Sequence, residues 1–488
     1  MKHIDKIIAT RFYKPILQLL AISVLLPVLM TGCKKILDVP PPSNSITADL
    51  VFSNADQASS AIAGMFYKMI NTPPGFATYG MTVFGGMSAD ELIPFNQSNQ
   101  NYAQFYNNSL VSTNSVISSN FWNNAYSVIY SANSIIEGLN NSKGVNESVK
   151  SRLTGQAEFA RAFCNFYLVN LFGDIPLVTT INYNKTSLLY RTPLDQVYQA
   201  ILADLKDAQI RLAADYSEAN GQRVIPNKWV ATALLARIYL YLKDYKNAEI
   251  QASSLINNAT LFSLSLLTGP NEVFATNSNE AIWQLQQDNS GGTSSYNATP
   301  EGFAIIPRAL NSIYQPLIYL TPALLNSFEA GDQRKINWVD STKYNNKFYY
   351  FPYKYKVGPG QAVINGPYSE YYMVLRLAEQ YLIRAEARAQ LGESGAIDDL
   401  NAIRNRAGLP DYTGPTDRNS LLTAIAHENQ IEFFAEWGHR WLDLKRWGTA
   451  AQVLSVDKGL TVSTNSLLYP IPVSELRTDP NLIQNPGY

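Results

Sequence analysis

An alanine-rich series of amphipathic segments in residues 371–447 constrains the fold of this chain more than any other feature. Apolar residues in its first segment recur at spacings of three and four, which aligns them on one face of a helix. These residues are Val374, Leu377, Ala378, Tyr381, Ala385 and Ala389. Gly392, Gly408 and Gly438 divide the series into four predicted helices, since glycine commonly ends a helix. Small contact residues let helix axes approach closely, so the pattern indicates an α-solenoid of paired helices.

A similar helix pair is predicted upstream, in residues 226–256. Ala236 and Ala248 lie twelve residues apart, which is the spacing of the two small residues at the helix contact of a tetratricopeptide unit. The later pair, from Tyr381 to Ala402, has a similar shape. The sequence therefore predicts a mainly α fold, in the form of a tetratricopeptide-like α-solenoid.

The helical period is lost in two stretches. Between about residues 261 and 368 the pattern becomes irregular, and short strands are predicted at 280–286 and 347–357. Residues 71–114 show no period and are too long for an ordinary connection, so they are either functional or poorly ordered. We expect a single domain over residues 46–488, in which an irregular lobe of loops and short strands packs on the solenoid.

The N-terminus carries an export signal. Four basic residues precede an apolar run at residues 16–30, whose length of about 22 Å as a helix is short of the ~30 Å hydrocarbon core of a membrane. This pattern predicts a signal peptide over residues 1–32. The run ends in MTGC, which resembles a bacterial lipobox and predicts acylation of Cys33, with the proline-rich residues 33–45 as a tether. The alternative is an ordinary secretory signal with a cysteine at that position by chance.

Charge and residue types exclude several functions. The net charge of −1 argues against a nucleic-acid partner, which requires a basic face. The three histidines, at positions 3, 427 and 439, lack metal-ligand spacing, and we predict no metal and no cofactor. With Cys33 acylated, Cys164 has no partner for an intramolecular disulfide, and we expect it to be a small buried residue.

Three glutamates form the one stripe that could supply a pair of catalytic carboxylates. Glu428, Glu432 and Glu436 recur at spacings of four, and a glycosidase needs two carboxylates at a defined separation. We interpret the stripe as structural, because Glu436 and Arg440 have the spacing of a helical ion pair.

Short motifs in a fixed order along nearly the whole mature chain resemble those of the SusD/RagB family, the outer-membrane glycan-binding lipoproteins of Bacteroidetes. The motifs are AEFARAF (157–163), FGDIP (172–176), ALLARIY (233–239), Phe328 with DQR (332–334), RLAE (376–379), AEA (385–387), LNAIRNRAG (400–408), EFFAE (432–436), RWLDLKRWG (440–448) and QNPGY (484–488). The chain departs from the family at Asn429, where an arginine is usual.

The resemblance implies a solenoid of about four helix pairs, a variable lobe that carries the ligand face, and no catalysis. It implies a lipid-anchored, surface-exposed protein of the outer membrane that captures a glycan and delivers it to a SusC-like TonB-dependent transporter. The charged motif residues would tie helices together through charge-assisted hydrogen bonds. They are Asp174, Arg161, Glu379, Arg404, Glu436 and Asp443.

The resemblance implies that ligand residues lie outside the family motifs, so the candidates are residues whose side-chain chemistry suits a sugar. A sugar offers an apolar C–H face, on which aromatic rings stack, and a rim of hydroxyl groups, which bond Asn, Asp and Gln. The loops at 71–108 and 288–319 supply both kinds of side chain. The predicted ligand residues are Tyr79, Phe84, Asp90, Asn96, Tyr296, Asn297 and Tyr314. We assign Trp283, Trp441 and Trp447 to the core.

Two alternative functions remain open from the sequence. The lobe could bind peptides, as some members of the family do. Less favoured is a surface glycoside hydrolase built on two carboxylates.

Overall fold

The computed structural model describes residues 48–269, 272–288, 296–309 and 315–488. The predicted signal peptide, Cys33, the tether up to residue 45 and Tyr314 lie outside the described residues. The chain divides into two compact units, of which the first ends at Val51 and contains the short helix Ala48–Val51. All elements described below belong to the second unit, residues 52–488.

Long helices dominate this unit, and each packs against the next along the chain. They are α1 Ala55–Ile70, α2 Asn123–Asn141, α3 Glu147–Phe172, α4 Leu194–Arg211, α5 Lys228–Tyr241, α6 Tyr245–Ile256, α7 Leu377–Leu391, α8 Ala396–Arg406, α9 Arg418–Glu432, α10 His439–Arg446 and α11 Ala450–Lys458. Shorter helical pieces are Phe76–Gly85 and Ile117–Trp122 (both π-helical), Gly86–Ser88, Gln100–Tyr106, Tyr183–Thr186, Ser217–Ala219, Pro300–Ile305, Pro322–Ser327, Gln333–Trp338, Thr464–Leu467 and Val473–Thr478. The mainly helical prediction is confirmed. Among the described residues, no helix is long and apolar enough to cross a membrane.

Alanine lies at the helix contacts where the sequence predicts it. Ala236 on α5 and Ala248 on α6 are fully buried, and α6 begins where the Asp244 side chain accepts a hydrogen bond from the Asn247 backbone amide. Between α7 and α8, Gly392 adopts a left-handed conformation with φ of 69° and ends α7. Ala385 belongs to the apolar cluster between these helices. The predicted tetratricopeptide-like contacts are therefore present in both pairs.

Most of the charged motif residues tie elements together, as predicted. Arg161 of α3 bonds Asp204 of α4 at 2.7 Å, and Glu379 of α7 accepts from Arg237 of α5 at 2.7 Å. Arg404 of α8 bonds Glu329 at 2.6 Å. Asp174, which follows α3, accepts the Leu194 backbone amide at the start of α4 at 2.8 Å. Asp443 pairs at 2.8 Å with Arg446 of its own helix, so this pair corrects the prediction for Asp443.

Six short strands form three two-stranded antiparallel sheets within the described residues. The strands are β1 Leu92–Pro94, β2 Ala281–Leu285, β3 Ile318–Leu320, β4 Val339–Tyr344, β5 Lys347–Pro352 and β6 Tyr372–Arg376. β1 pairs with β3, β2 with β6, and β4 with β5. The predicted strands at 280–286 and 347–357 are present in shorter form. β6 corrects the prediction of a helix from residue 371, because a strand buried on both faces shows no alternation by which it could be told from a helix.

The predicted end of α9 is also wrong. The helix ends at Glu432 rather than Trp437, because Ala435, Trp437 and Gly438 adopt positive φ angles of 49°, 47° and 66°. Glu436 therefore does not continue the helical stripe toward Arg440.

A buried ion network forms at this turn instead. Arg376, at the end of β6, donates to Glu280, to Glu432 and to Glu436, with nitrogen–oxygen distances of 2.9, 2.5 and 2.9 Å. Arg334 pairs with Glu432 at 2.9 Å and also bonds Glu428, so each member of the predicted glutamate stripe has an arginine partner. The network joins the sheets to α9, which confirms the structural interpretation of the stripe and corrects the Glu436–Arg440 pairing.

Candidate functional site

Four partly exposed aromatic rings from separate elements meet at one surface of the described lobe. Phe95 contacts Tyr344 and Tyr349 with ring centroids 5.4 and 5.1 Å apart, and Tyr349 contacts Tyr319 at 5.2 Å. The rings are inclined to one another by 89°, 68° and 76°, so they meet edge to face. We call these four residues the aromatic platform.

Strand register brings the platform together. Ile93 of β1 is paired with Tyr319 of β3, and Phe95 continues β1 with its backbone amide bonded to the Leu317 carbonyl at 3.1 Å. The β4–β5 hairpin places Tyr349 opposite Thr342 and Tyr344 opposite Lys347. Since side chains alternate between the faces of a strand, Tyr344 and Tyr349 share one face of this hairpin, which is the face toward β3.

Amide side chains border the platform. Gln97 hydrogen-bonds the Tyr319 hydroxyl, and Gln315 donates to the Tyr344 hydroxyl at 3.0 Å. Burial raises the pKa of Tyr319, and the neighbouring hydroxyls of Tyr106 and Tyr349 add to that shift. The Tyr319 hydroxyl therefore stays protonated near neutral pH. The platform thus combines ring surfaces with amide and hydroxyl groups that can donate and accept hydrogen bonds.

The opposite face of the hairpin is also aromatic. Phe348 and Tyr350 lie on it and expose 56% and 44% of their surface, which makes them more accessible than the platform rings. The Lys343 ammonium lies 5.7 Å from the centre of the Phe348 ring. The hairpin therefore has one face packed into the platform and one face toward solvent, so Tyr349 and Tyr350 form a natural pair for comparison.

Three predicted ligand residues are structural, which corrects the prediction for them. Phe84 is fully buried and packs against Phe105 and Phe121 at 4.8 and 5.9 Å, so it has no surface to offer a ligand. Asp90 is 1% exposed, and both of its oxygens accept hydrogen bonds from Arg440, at 2.8 and 2.7 Å. Burial opposes ionisation of Asp90, but the Arg440 bonds outweigh it and lower the pKa.

Asn297 is the third of these residues. It is 7% exposed, its amide nitrogen donates to the Pro367 carbonyl at 2.9 Å, and its oxygen accepts from the Val363 amide at 2.8 Å. It therefore holds two loop segments together. Phe84 and Asp90 also show that the stretch at 71–114 is ordered around a buried core.

Three other predicted residues keep some accessibility. Asn96 is exposed and follows Phe95 of the platform directly. Tyr79 is half-buried beside Tyr102, and burial, followed by the effect of Tyr102, raises its pKa to about 12. Tyr296 is half-buried and stacks on Phe303 with centroids 4.9 Å apart. Asn96 is thus the one predicted residue that the described structure brings directly to the platform.

Two of the concave surfaces of the described residues lie away from the platform. A cleft of about 640 Å³ lies between α1, α3 and the end of β2, with Phe66, Leu153 and Glu218 in its wall. A groove of about 570 Å³ is lined by side chains that include Tyr241 and Trp447. Trp447 is thus only partly buried, unlike Trp283 and Trp441, which are fully buried as predicted. None of the six predicted ligand residues that the structure describes lines either surface.

Sequence comparison decides the family of this chain. The family model described as "SusD family" matches residues 339–488, and one described as "Starch-binding associating with outer membrane" matches residues 64–240. SusD-like protein P2 of Formosa agariphila is 30% identical over 415 residues, which cover 75% of this chain and 80% of that protein. The chain belongs to the SusD family. Another relative within this SusD family, SusD-like protein P25 of the same organism, is 27% identical and covers 94% of this chain and 97% of its own length.

Solved structures of SusD family proteins share the fold. A structure described as a laminarin binding SusD-like protein is 24% identical, with a TM-score of 0.73 over 90% of this chain and 100% of that chain. A SusD homolog from Bacteroides thetaiotaomicron is 23% identical, with a TM-score of 0.75 over 89% of this chain and 98% of that chain. The solenoid described above is therefore the SusD fold.

All four platform residues were missed as site residues, although a sequence signal for the β4–β5 hairpin exists. Residues 347–353 contain five aromatic residues, directly after the pair Asn345 and Asn346, which occupies the hairpin turn with positive φ angles of 48° and 63°. A strand with aromatic residues on both faces cannot bury both when it lies at an edge. What the sequence could not supply is the partner surface, because β1 and β3 lie more than 200 residues apart along the chain.

Proposed function

We propose that this SusD family member is a non-catalytic binding protein that captures a glycan on the aromatic platform and delivers it to a SusC-like TonB-dependent transporter. The observation that carries the proposal is the platform itself, a partly exposed group of four rings bordered by amide side chains. Ring faces and edges accept the C–H face of a sugar, and amides exchange hydrogen bonds with its hydroxyls. Two family members are named for starch and for laminarin, which supports the choice of a glycan.

A binding role without catalysis is supported by the glutamate stripe, whose carboxylates are engaged in buried ion pairs. Glu428, Glu432 and Glu436 are buried and bound to arginine or lysine side chains. Burial opposes ionisation of Glu432, but the charges of Arg406, Arg376 and Arg334 outweigh it and lower its pKa well below the usual value. A glycosidase would require one protonated acid and one ionised carboxylate facing a substrate cleft. The release of reducing ends from laminarin or starch by the purified protein would overturn this part of the proposal.

Ring truncation on the hairpin tests the site. Tyr349→Ala is expected to weaken glycan retention in affinity gels about tenfold, because removal of an anchoring aromatic residue commonly costs more than 1 kcal/mol of binding free energy. Tyr350→Ala is the matched control, since it removes the same side chain from the opposite face of the same strand. Laminarin and starch are the first glycans to test.

The outcomes separate the alternatives. A larger loss for Tyr350→Ala than for Tyr349→Ala would move the site to the outer face of the hairpin. Binding of peptides, without retention of any glycan in a broad panel, would favour the peptide-binding alternative. Asn96, Tyr79 and Tyr296 remain proposed ligand contacts, to be tested by alanine substitution in the same gels.

The proposed anchor and partner have their own support. Acylated Cys33 would hold the protein at the surface of the outer membrane, and loss of palmitate incorporation in Cys33→Ser is its test. For the transporter we propose an exposed apolar patch on the α3–α4 connection and the C-terminal segment, formed by Tyr183, Leu188, Tyr190 and Ile483, which are 54–75% exposed. Arg191 joins the two segments by donating to the Ile483 carbonyl at 2.7 Å. Tyr190→Glu should reduce copurification with a SusC-like transporter without changing glycan retention.

A further inference from the structure

The segment of residues 88–108 carries Phe95 and Asn96, and its two ends meet at one point. The Asn108 side-chain amide donates to the Ser88 carbonyl at 2.8 Å, which closes the segment into a loop. One helical piece, Gly86–Ser88, ends at the start of this loop, and another, Gln100–Tyr106, ends just before Asn108. Carbonyl groups at the end of a helix lack intrahelical donors and need another partner.

A single amine supplies that partner. The Nζ of Lys458, the last residue of α11, donates to the carbonyls of Met87, Ser88 and Tyr106 at 2.8, 3.0 and 2.8 Å. It also donates to the Asn108 side-chain oxygen at 2.7 Å. Burial lowers the pKa of Lys458 to about 7, although the Asp90 carboxylate opposes that shift. Four oxygen acceptors thus surround an amine that has three hydrogens when it is protonated, so the bonds are shared among them. The amine joins both ends of the loop to one helix of the solenoid.

The same lysine lies close to the platform. Its Nζ is 5.3 Å from the centre of the Tyr106 ring, and the Tyr106 hydroxyl is near enough to Tyr319 to raise the pKa of that platform residue. A second tie, the ion pair of Asp90 with Arg440, holds the start of the loop against α10. The loop that carries Phe95 is therefore fixed at its base by basic side chains from two neighbouring helices.

We propose that Lys458 is a positioning residue for glycan binding: its amine closes the base of the 88–108 loop and so fixes Phe95 and Tyr106 beside Tyr319. This inference rests on the proposed function of the platform. A ligand that contacts several rings at once needs them preorganised, since ordering the loop upon binding would reduce the affinity. Lys458 acts through the loop and need not touch the ligand.

Substitution with chemical rescue tests the proposal. Lys458→Ala is expected to weaken glycan retention about tenfold and to raise amide hydrogen exchange across residues 92–106. Methylammonium should restore both, because four oxygen acceptors around the vacated position favour a small organic cation. Lys458→Gln, which keeps amide donors, is the milder variant if the alanine variant does not fold.

Lys445→Ala is the matched control. Lys445 is another partly buried lysine, and its amine bonds the Asn170 carbonyl rather than an acceptor at the base of the platform loop. This variant should lose stability without the selective change in the loop and without rescue of glycan affinity. Equal losses of affinity in the Lys445 and Lys458 variants, or faster exchange in Lys458→Ala with unchanged affinity, would overturn the positioning role.

Failure of the proposed function would look different. If the native protein retains no glycan, the platform proposal fails, and positioning for glycan binding fails with it. The exchange measurement and its methylammonium rescue would then still show whether Lys458 closes the loop. If the native protein binds glycan and Lys458→Ala changes neither affinity nor exchange, only the positioning role is refuted.

Discussion

Replacement of Glu301 by glutamine is expected to remove a large part of the pH dependence of stability. Glu301 is 4% exposed, and its Oε2 accepts hydrogen bonds from the Thr82 hydroxyl at 2.7 Å and the Tyr372 hydroxyl at 3.2 Å. Burial raises its pKa to about 8, and the Glu436 carboxylate adds to the shift, whereas the two hydrogen bonds and Lys354 oppose it. The folded protein therefore holds a proton on Glu301 at neutral pH.

The sign and size of the effect follow from this shift. Between about pH 4.5 and pH 8 the folded state keeps the proton that the unfolded state has released, so the free energy of unfolding falls as pH rises through this window. At about 1.4 kcal/mol per pKa unit, the full difference approaches 4–5 kcal/mol. Glutamine stays neutral at every pH and keeps a carbonyl oxygen that can accept both hydroxyl bonds. The variant should therefore gain stability relative to the native protein as pH rises.

Urea unfolding at pH 5, 6, 7, 8 and 9 measures the effect. The difference in free energy of unfolding between Glu301→Gln and native protein should grow by several kcal/mol from pH 5 to pH 8 and then level off. Other buried acids such as Glu91 and Glu158 contribute in both proteins, so their effects cancel in the difference. Glu147→Gln, at a side chain 88% exposed, controls for the change in net charge. A difference that stays flat across this range would refute a protonated Glu301.

Two further substitutions test the interior. Arg376→Ala should lower the free energy of unfolding by about 3–5 kcal/mol, because Glu280, Glu432 and Glu436 would lose a shared buried partner; urea midpoints measure this, and a loss below 1 kcal/mol would contradict it. Phe84→Ala should lower the free energy of unfolding by about 3–5 kcal/mol, because it leaves a cavity beside Phe105 and Phe121, while the folded protein still retains glycan as the native protein does. Loss of glycan retention with unchanged stability would instead show that Phe84 belongs to the ligand site.

The solenoid could be predicted from sequence because its signals are local. Alanine spacing and terminal glycines act within a helix pair, so Ala236, Ala248 and Gly392 sufficed to place two helix contacts. Predictions failed where distant residues decide the structure. β6 appears helical until β2, about 90 residues earlier, is known to pair with it. The end of α9 depends on positive φ angles at Ala435, Trp437 and Gly438, which the side-chain pattern of the helix does not indicate.

The site predictions also failed where contacts with distant residues decide which side chains are exposed. Polar and aromatic residues in an aperiodic loop suggested ligand contact, but Asp90 and Phe84 are buried inside the structure. Asp90 bonds Arg440 of α10, and Phe84 packs against Phe121 of a π-helical turn. Composition shows that a loop has residues suited to binding, whereas the tertiary structure decides which of them reach its surface. Asn96 does so because it follows the short strand β1, at the edge of the platform.

The distribution of charge and aromatic surface between the two parts of the molecule has a functional consequence. Fixed ion pairs such as Arg376 with Glu432 and Arg237 with Glu379 occupy carboxylates in the interior, where their bonds hold helices and sheets in register. The platform instead presents the rings of Phe95 and Tyr349 and neutral amides, with the Lys347 amine 5.2 Å from the centre of the Tyr349 ring. A surface of this kind can recognise the apolar faces and hydroxyls of a sugar without offering an acid and a base to cleave it. This partition supports the proposal that the protein binds a glycan without cleaving it.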